Sequence, residues 1–305
     1  MRARALPRGD VGGELVGLGL LGVPLALLVG WSTASALSEG FVSMNWFGAG
    51  PALIAYLCAH ALRVCRTVVV LGDSVHSVRS VALAHAASAP WTGLLPFKVG
   101  ELARMYAIGR VTEGFWHGFR AVWIERTFDA VLIALAVGIA VIIRPQDGAA
   151  VLPIGLASVA LLGVTGGAVT ALPENLATAK LWVLRRYTTP WSLRVLAALD
   201  EVGDAVKNLG RLVRGKVATL TVLTGAIWSL ELSGLWLLVG QVDRLGEGLV
   251  VGMLAILSDV IRPDGGLQLQ FASAIESWHA IIFAVLPAMG VVGSVGWMMS
   301  TWRRR

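Results

Sequence analysis

Two short stretches of the chain combine ionisable side chains with the spacing of a helix face. One reads Pro96-Phe-Lys98-Val-Gly100-Glu101-Leu-Ala-Arg104, the other Ile124-Glu125-Arg126-Thr-Phe-Asp129. Lys98, Arg104 and Arg126 are cations suited to an anionic group such as a phosphate, and the planar fork of Arg126 can hold two phosphate oxygens at once. Asp129 follows Arg126 by three residues and Arg104 follows Glu101 by three, so the members of each pair share a helix face and can form an ion pair. Glu125 is turned about 100° away from Arg126 and is expected to face water or a basic neighbour. Gly100 permits close backbone approach, and the start of a helix here would present N–H groups to an anion. A further acid, Glu231, lies about 22 Å past Lys216 along a helix axis. That is too deep to reach water cheaply, so Glu231 needs a partner, Arg262 or Arg126, or a proton. The same residues also read as ion pairs that hold helices together, with Lys98 and Arg104 stretching toward lipid head groups.

The elements that must position these groups are membrane helices. Only 14% of the residues are charged while 56% are hydrophobic, and the mean hydropathy is +0.74; soluble domains carry about 25% charged residues. The net charge of +6 sits between apolar runs, where Lys and Arg orient a membrane protein and meet anionic lipid. It does not indicate nucleic-acid binding. Full spans are predicted at 14–32, 46–70, 119–143, 149–171, 217–240 and about 279–300. Between Asp129 and Arg144 only about 21 Å of uncharged helix is available, short of a ~30 Å hydrocarbon core. The third span must therefore extend back over Asp129 and Arg126.

Basic residues cluster at Arg2, Arg4 and Arg8, from Lys180 to Lys216, and at Arg303–Arg305, so both termini and the 173–216 linker are predicted on the cytoplasmic side. That sidedness leaves 81–97 unable to cross once. It must dip and return, or lie at the surface; Pro90, Gly93 and Pro96 break helical hydrogen bonding where a hairpin would need it. Segment 249–276 is predicted to do the same from the opposite face, with its apex at Arg262-Pro263-Asp264-Gly265-Gly266. The linker repeats Leu193, Leu196, Leu199 and Val202 at helical spacing among charges, as a helix lying on the membrane surface would. Cys58 and Cys65 share a helix face too far apart for a disulfide and read as buried thiols. Gly17-Leu-Gly19-Leu-Leu-Gly22 has the form of a nucleotide-binding loop but falls inside an apolar helix with no preceding strand, and is dismissed. The five histidines show no metal-ligand spacing, although His60 and Arg63 share a face and could join a basic vestibule. No cofactor is implied.

The run Leu95-Pro96-x-Lys98-x-Gly100-Glu101-x-x-Arg104, followed by Glu125-Arg126-x-x-Asp129 and later Trp228-x-x-Glu231, resembles the transmembrane flippase domain of lysylphosphatidylglycerol synthases. The likeness covers about residues 15–300 and is most specific from Pro96 to Asp129. One departure is that Gln268 and Gln270 stand where the family pattern has a glutamate after the second proline–glycine turn. No soluble aminoacyl-transfer domain accompanies the membrane part, so the resemblance implies lipid translocation or binding rather than lipid aminoacylation.

The sequence therefore predicts an all-α, polytopic integral membrane protein of about six full spans plus two re-entrant segments of opposite orientation. It is one domain over 1–305: a first half at about 14–171, a helical linker at 173–216 and a second half at about 217–302. It is placed in the cytoplasmic membrane, and the partners expected are membrane lipids with an anionic or amphiphilic head. Gly248-x-x-x-Gly252 permits helix contact with a second copy or a lipid-synthesis enzyme. The substrate-binding residues expected are Lys98, Glu101, Arg104, Arg126, Asp129 and Glu231. The alternative function is a membrane enzyme, or its accessory subunit, in polyprenyl, hopanoid-type or glycolipid synthesis.

Overall fold

A computed structural model describes residues 15–24, 46–94, 99–112, 114–143, 148–186, 190–239 and 268–302. Among them the secondary structure is helical. The helices are α1 (Leu15–Pro24), α2 (Trp46–Leu71), α3 (Val78–Leu94), α4 (Val99–Val111), α5 (Phe115–Ile143), α6 (Gly148–Arg186), α7 (Pro190–Val213), α8 (Val217–Val239) and α9 (Gln268–Trp302). Lys98, Pro96, the 249–267 part of the second predicted hairpin with Arg262, and the Gly248–Gly252 pair lie outside the described residues.

The distribution of polarity is that of a protein dissolved in lipid. Phe47, Ile54, Leu135, Ile142, Val222 and Val292 point outward, while Arg66, Arg104, Glu125, Asp129 and Glu231 are buried. A bilayer reverses the usual preference, since apolar side chains lose nothing by facing acyl chains and charges must find partners inside. Among the described residues four segments are long and apolar enough to cross: Phe47–Ser74, Gly155–Leu172, Val217–Leu238 and Ala280–Met299. α5 runs unbroken through Glu125, Arg126 and Asp129 to Ile143, as the shortfall of uncharged length required. The protein is thus an all-α polytopic membrane protein.

α2 and α8 form an antiparallel pair. Lys216 Nζ donates to Val69 O over 2.8 Å at one end, and Gly234 packs on the backbone of Ala52 toward the other. α4 and the start of α5 close over that first end, where Val70, Leu71, Ile108, Ala121, Val122, Leu209 and Leu220 share a core. A second layer is built from α1, α3 and α9, with Leu15, Ala84, Ala107 and Trp297 packed together. The contacts α9 makes along α3, Gly290 on Pro90, Gly293 on Ala87 and Gly296 on Leu83, make the two helices antiparallel. It follows that Leu15, the α2–α3 turn, the α4–α5 turn, the α7–α8 turn and the C-terminal end of α9 gather at one end of the bundle.

α3 and α4 form a helical hairpin whose two outer ends both lie at this end. Pro90 does not break it: α3 continues to Leu94. Pro90 and Trp91 instead pack against Gly22 of α1, and Trp91 Nε1 donates to Leu18 O over 2.8 Å. Gly19 and Gly22 of the Gly17–Gly22 motif therefore belong to helix contacts, Gly19 against α9 and Gly22 against α3. Between α4 and α5 the backbones nearly touch, so that a Cβ on Gly118 would lie 1.9 Å from Met105 O.

Three expectations are corrected. Residues 268–276 are the first turns of α9, a helix of 35 residues, about 52 Å long, and not the returning arm of a separate hairpin. The first part of the linker is continuous with the fourth span in α6, and α7 folds back along it, with Gly203 against Leu176 and Lys180 paired with Asp200. The linker is a helical hairpin held to the bundle by its far end, where Leu209 enters the core and Trp116 Nε1 donates to Glu201 over 2.8 Å. Cys58 and Cys65 are exposed: the inward face of α2 is taken by His60, Arg63, Arg66 and Thr67, which turns the thiols outward.

Candidate functional site

Four helices converge on one network of charges. α2 contributes Arg63, Arg66 and Thr67 from successive turns, α4 Glu101 and Arg104, α5 Glu125, Arg126 and Asp129, and α8 Thr224, Trp228 and Glu231. Apolar runs on either side of each group drive the helices into the bundle, and the helical repeat sets which face carries the charge.

The centre is closed. Glu125 is 0% and Arg66 1% exposed. Arg66 Nη1 donates to Asp129 Oδ1 over 2.7 Å and to Thr224 Oγ1 over 3.0 Å, and its Nη2 reaches Asp129 Oδ2 at 3.4 Å. Arg66 Nη2 also lies 3.5 Å from Glu125 Oε2. Arg104 Nη2 donates to Glu125 Oε2 over 2.5 Å and to Thr67 Oγ1 over 3.2 Å, and Thr67 in turn donates to Glu125 Oε1. Trp228 Nε1 points at Asp129 Oδ1 from 3.4 Å. Such a site is stable only because each charge is paired and hydrogen-bonded, since removing water from an isolated ion costs several kcal/mol or more.

The edge is open. Arg126 donates from Nη1 to Asp129 Oδ2 over 3.1 Å and from Nη2 to Glu101, and its side chain remains 33% exposed. Glu101 occupies the first turn of α4, where the helix N-terminus favours a negative charge. One turn further along α2, Arg63 pairs with Glu231. Four guanidinium groups thus face four carboxylates, and the described network is balanced in charge. Its most exposed pair is Arg126 with Glu101, at the start of α4.

Of the residues singled out from sequence, Glu101, Arg104, Arg126 and Asp129 are brought into direct contact, and Arg126 pairs with Asp129 as their spacing requires. Among the described residues Glu231 joins through Arg63 and not through Arg126; Arg262 lies outside them. Glu125 meets a basic neighbour, Arg104, and no water. Arg66, Thr67 and Thr224 were missed as members. The available signal was the Arg63–Arg66 spacing at the end of the second span, which put two cations on one face opposite a span with three ionisable groups.

This constellation sits where the family pattern has its most specific residues. The family model described as lysylphosphatidylglycerol synthase TM region matches residues 15–261. The chain belongs to this family. Comparison with curated proteins and with solved structures returns no match. Membership in the lysylphosphatidylglycerol synthase TM family indicates a membrane-lipid-related function and a multi-pass membrane location for the chain. The matched residues end before α9 (Gln268–Trp302) begins.

Proposed function

We propose that the protein binds an amphiphilic, phosphate-bearing lipid and translocates it across the cytoplasmic membrane. The observation that carries the reading is the graded network: a closed, charge-balanced centre at membrane depth with one open pair, Arg126–Glu101, at its edge. Arg126 would exchange part of its carboxylate contacts for phosphate oxygens, which its fork can take in pairs. Asp129 and Glu101 hold that guanidinium in place. Lys98, just before α4, adds a cation beside the edge, and Arg104 reaches the head only when the α3–α4 hairpin shifts, because Glu125 and Thr67 enclose it. Glu231, through Arg63, balances the far side. The lipid tails stay among the outward Leu, Ile and Phe side chains. The Lys/Arg bias assigns the end with Leu15, the α7–α8 turn and the end of α9 to the cytoplasm.

Purified protein in liposomes with a head-labelled fluorescent phospholipid tests this. Wild-type protein is expected to expose inner-leaflet label to a membrane-impermeant quencher, and Arg126→Ala to lose about tenfold or more of that rate, the scale of a charge-assisted contact. Arg126→Ala moving lipid at the wild-type rate would refute the head-group role. A chemically altered lipid in the extract would favour the enzymatic alternative.

A further inference from the structure

His60 on α2 and His85 on α3 face each other inside the bundle, 7% and 5% exposed, with His60 Nδ1 and His85 Nε2 3.0 Å apart. An aromatic cover lies over them: Tyr56 meets His60 edge-on at 4.7 Å between centroids, and Trp278 of α9 meets Tyr56 at 5.4 Å. The outward nitrogens, His60 Nε2 and His85 Nδ1, are buried without a hydrogen-bond partner among the described residues. The charged groups around the pair are Arg63 and Arg66 on α2, Arg104 on α4, and Glu231 on α8, which Arg63 engages.

Counting protons shows what such a pair can do. The link needs one hydrogen between the facing nitrogens, so one imidazole donates and the other accepts. With both rings neutral, one outward nitrogen carries an N–H and the other a lone pair. A first added proton takes that lone pair and places a cation among three arginines. A second takes the accepting nitrogen of the link and sets N–H against N–H. The pair therefore joins α2 to the hairpin until the second proton binds, and loses that hold when both rings are charged. The hairpin is the element that carries Glu101 and Arg104.

We propose that the His60–His85 pair is a proton-binding latch, which seats the α3–α4 hairpin on α2 when neutral and frees it when both rings are protonated. The latch stands apart from the identity of the lipid and is tested without transport. Spin labels are placed at Cys58, exposed on α2, and at Leu102→Cys, exposed on α4, in a Cys65→Ser background in lipid nanodiscs. Their separation is measured by pulsed electron resonance from about pH 8 to about pH 4, past the interval in which an unperturbed histidine changes charge. The expected result is a shift to longer separations in acid, abolished in His60→Gln and in His85→Gln, since an amide can bridge but takes no proton. A separation that does not change with pH in the otherwise native protein would overturn the proposal, whatever the variants do. So would the same acid shift in both Gln variants. Failure of lipid movement in liposomes would leave this measurement unaffected, and the reverse also holds.

Discussion

Glu125→Gln removes one negative charge from the closed centre while leaving the side-chain volume in place. In the native protein Glu125 accepts from Arg104 Nη2 at 2.5 Å and lies 3.5 Å from Arg66 Nη2. Arg66 retains Asp129 and Thr224, so its loss is small. Among the described residues Arg104 retains Thr67 and a 3.8 Å approach to Glu101, so a nearly fully buried guanidinium loses its main counter-charge. Breaking a buried pair from one side costs about 3–5 kcal/mol, and the substitution creates no cavity to add to that. Ordinary polar contacts in membrane bundles average about 0.6 kcal/mol and reach about 1.7, so the two explanations are separated by the measurement. The assay is reversible unfolding in mixed lipid–detergent micelles titrated with SDS. A second variant, Arg104→Met with Glu125→Gln, removes both charges and is expected to recover at least about 2 kcal/mol, because an apolar replacement of a buried pair is close to neutral. A single-variant loss below about 1.7 kcal/mol, or no recovery in the double variant, would refute the description of this centre as a mutually dependent ion network.

Glu231→Gln is expected to cost less than Glu125→Gln, about 1.5–3 kcal/mol, because Arg63 is partly exposed and can find other partners; equal losses in the same unfolding assay would contradict the graded burial. Gly118→Ala places a methyl group 1.9 Å from Met105 O, on backbone that cannot rotate away. It is expected to destabilise by about 1–3 kcal/mol and to slow lipid movement by pulling Arg104 from Glu125; a variant that melts and transports like the native protein would show that α4 and α5 need not touch. Thr224→Val removes one hydroxyl that accepts from Arg66 over 3.0 Å and should cost about 1.5–3 kcal/mol in the same assay, with no change expected if a water molecule substitutes.

Much of this arrangement is legible in the sequence, for identifiable reasons. The pairing of Arg126 with Asp129 follows from spacing within one helix, and the need for charge at depth follows from the short uncharged run after Asp129. Both are local. What sequence does not yield is register between helices. Glu231 visibly needs a cation, yet that Arg63 supplies it depends on how α8 slides along α2. Arg66 reads as a marker for the inner end of a span until α5 is laid beside it and Asp129 meets it. Glu125, rotated from Arg126, was open to either solvent or a base, and only the close approach of α4 at Gly118 decides for Arg104. Pro90 misleads because proline is a breaker in isolation; here Gly22 and Gly290 leave room for its ring, and the chain turns later.

The central claim is that a polar lipid head is received at the Arg126–Glu101 edge of a charge network within the membrane. A photoactivatable phospholipid carrying its reactive group at the head, cross-linked in liposomes and mapped by mass spectrometry, tests it most directly. The account expects labelled peptides from the start of α4 and from the Glu125–Asp129 turn of α5, with that labelling lost in Arg126→Ala. Labelling confined to outward residues such as Phe47 and Ile142, unchanged in the variant, would contradict it.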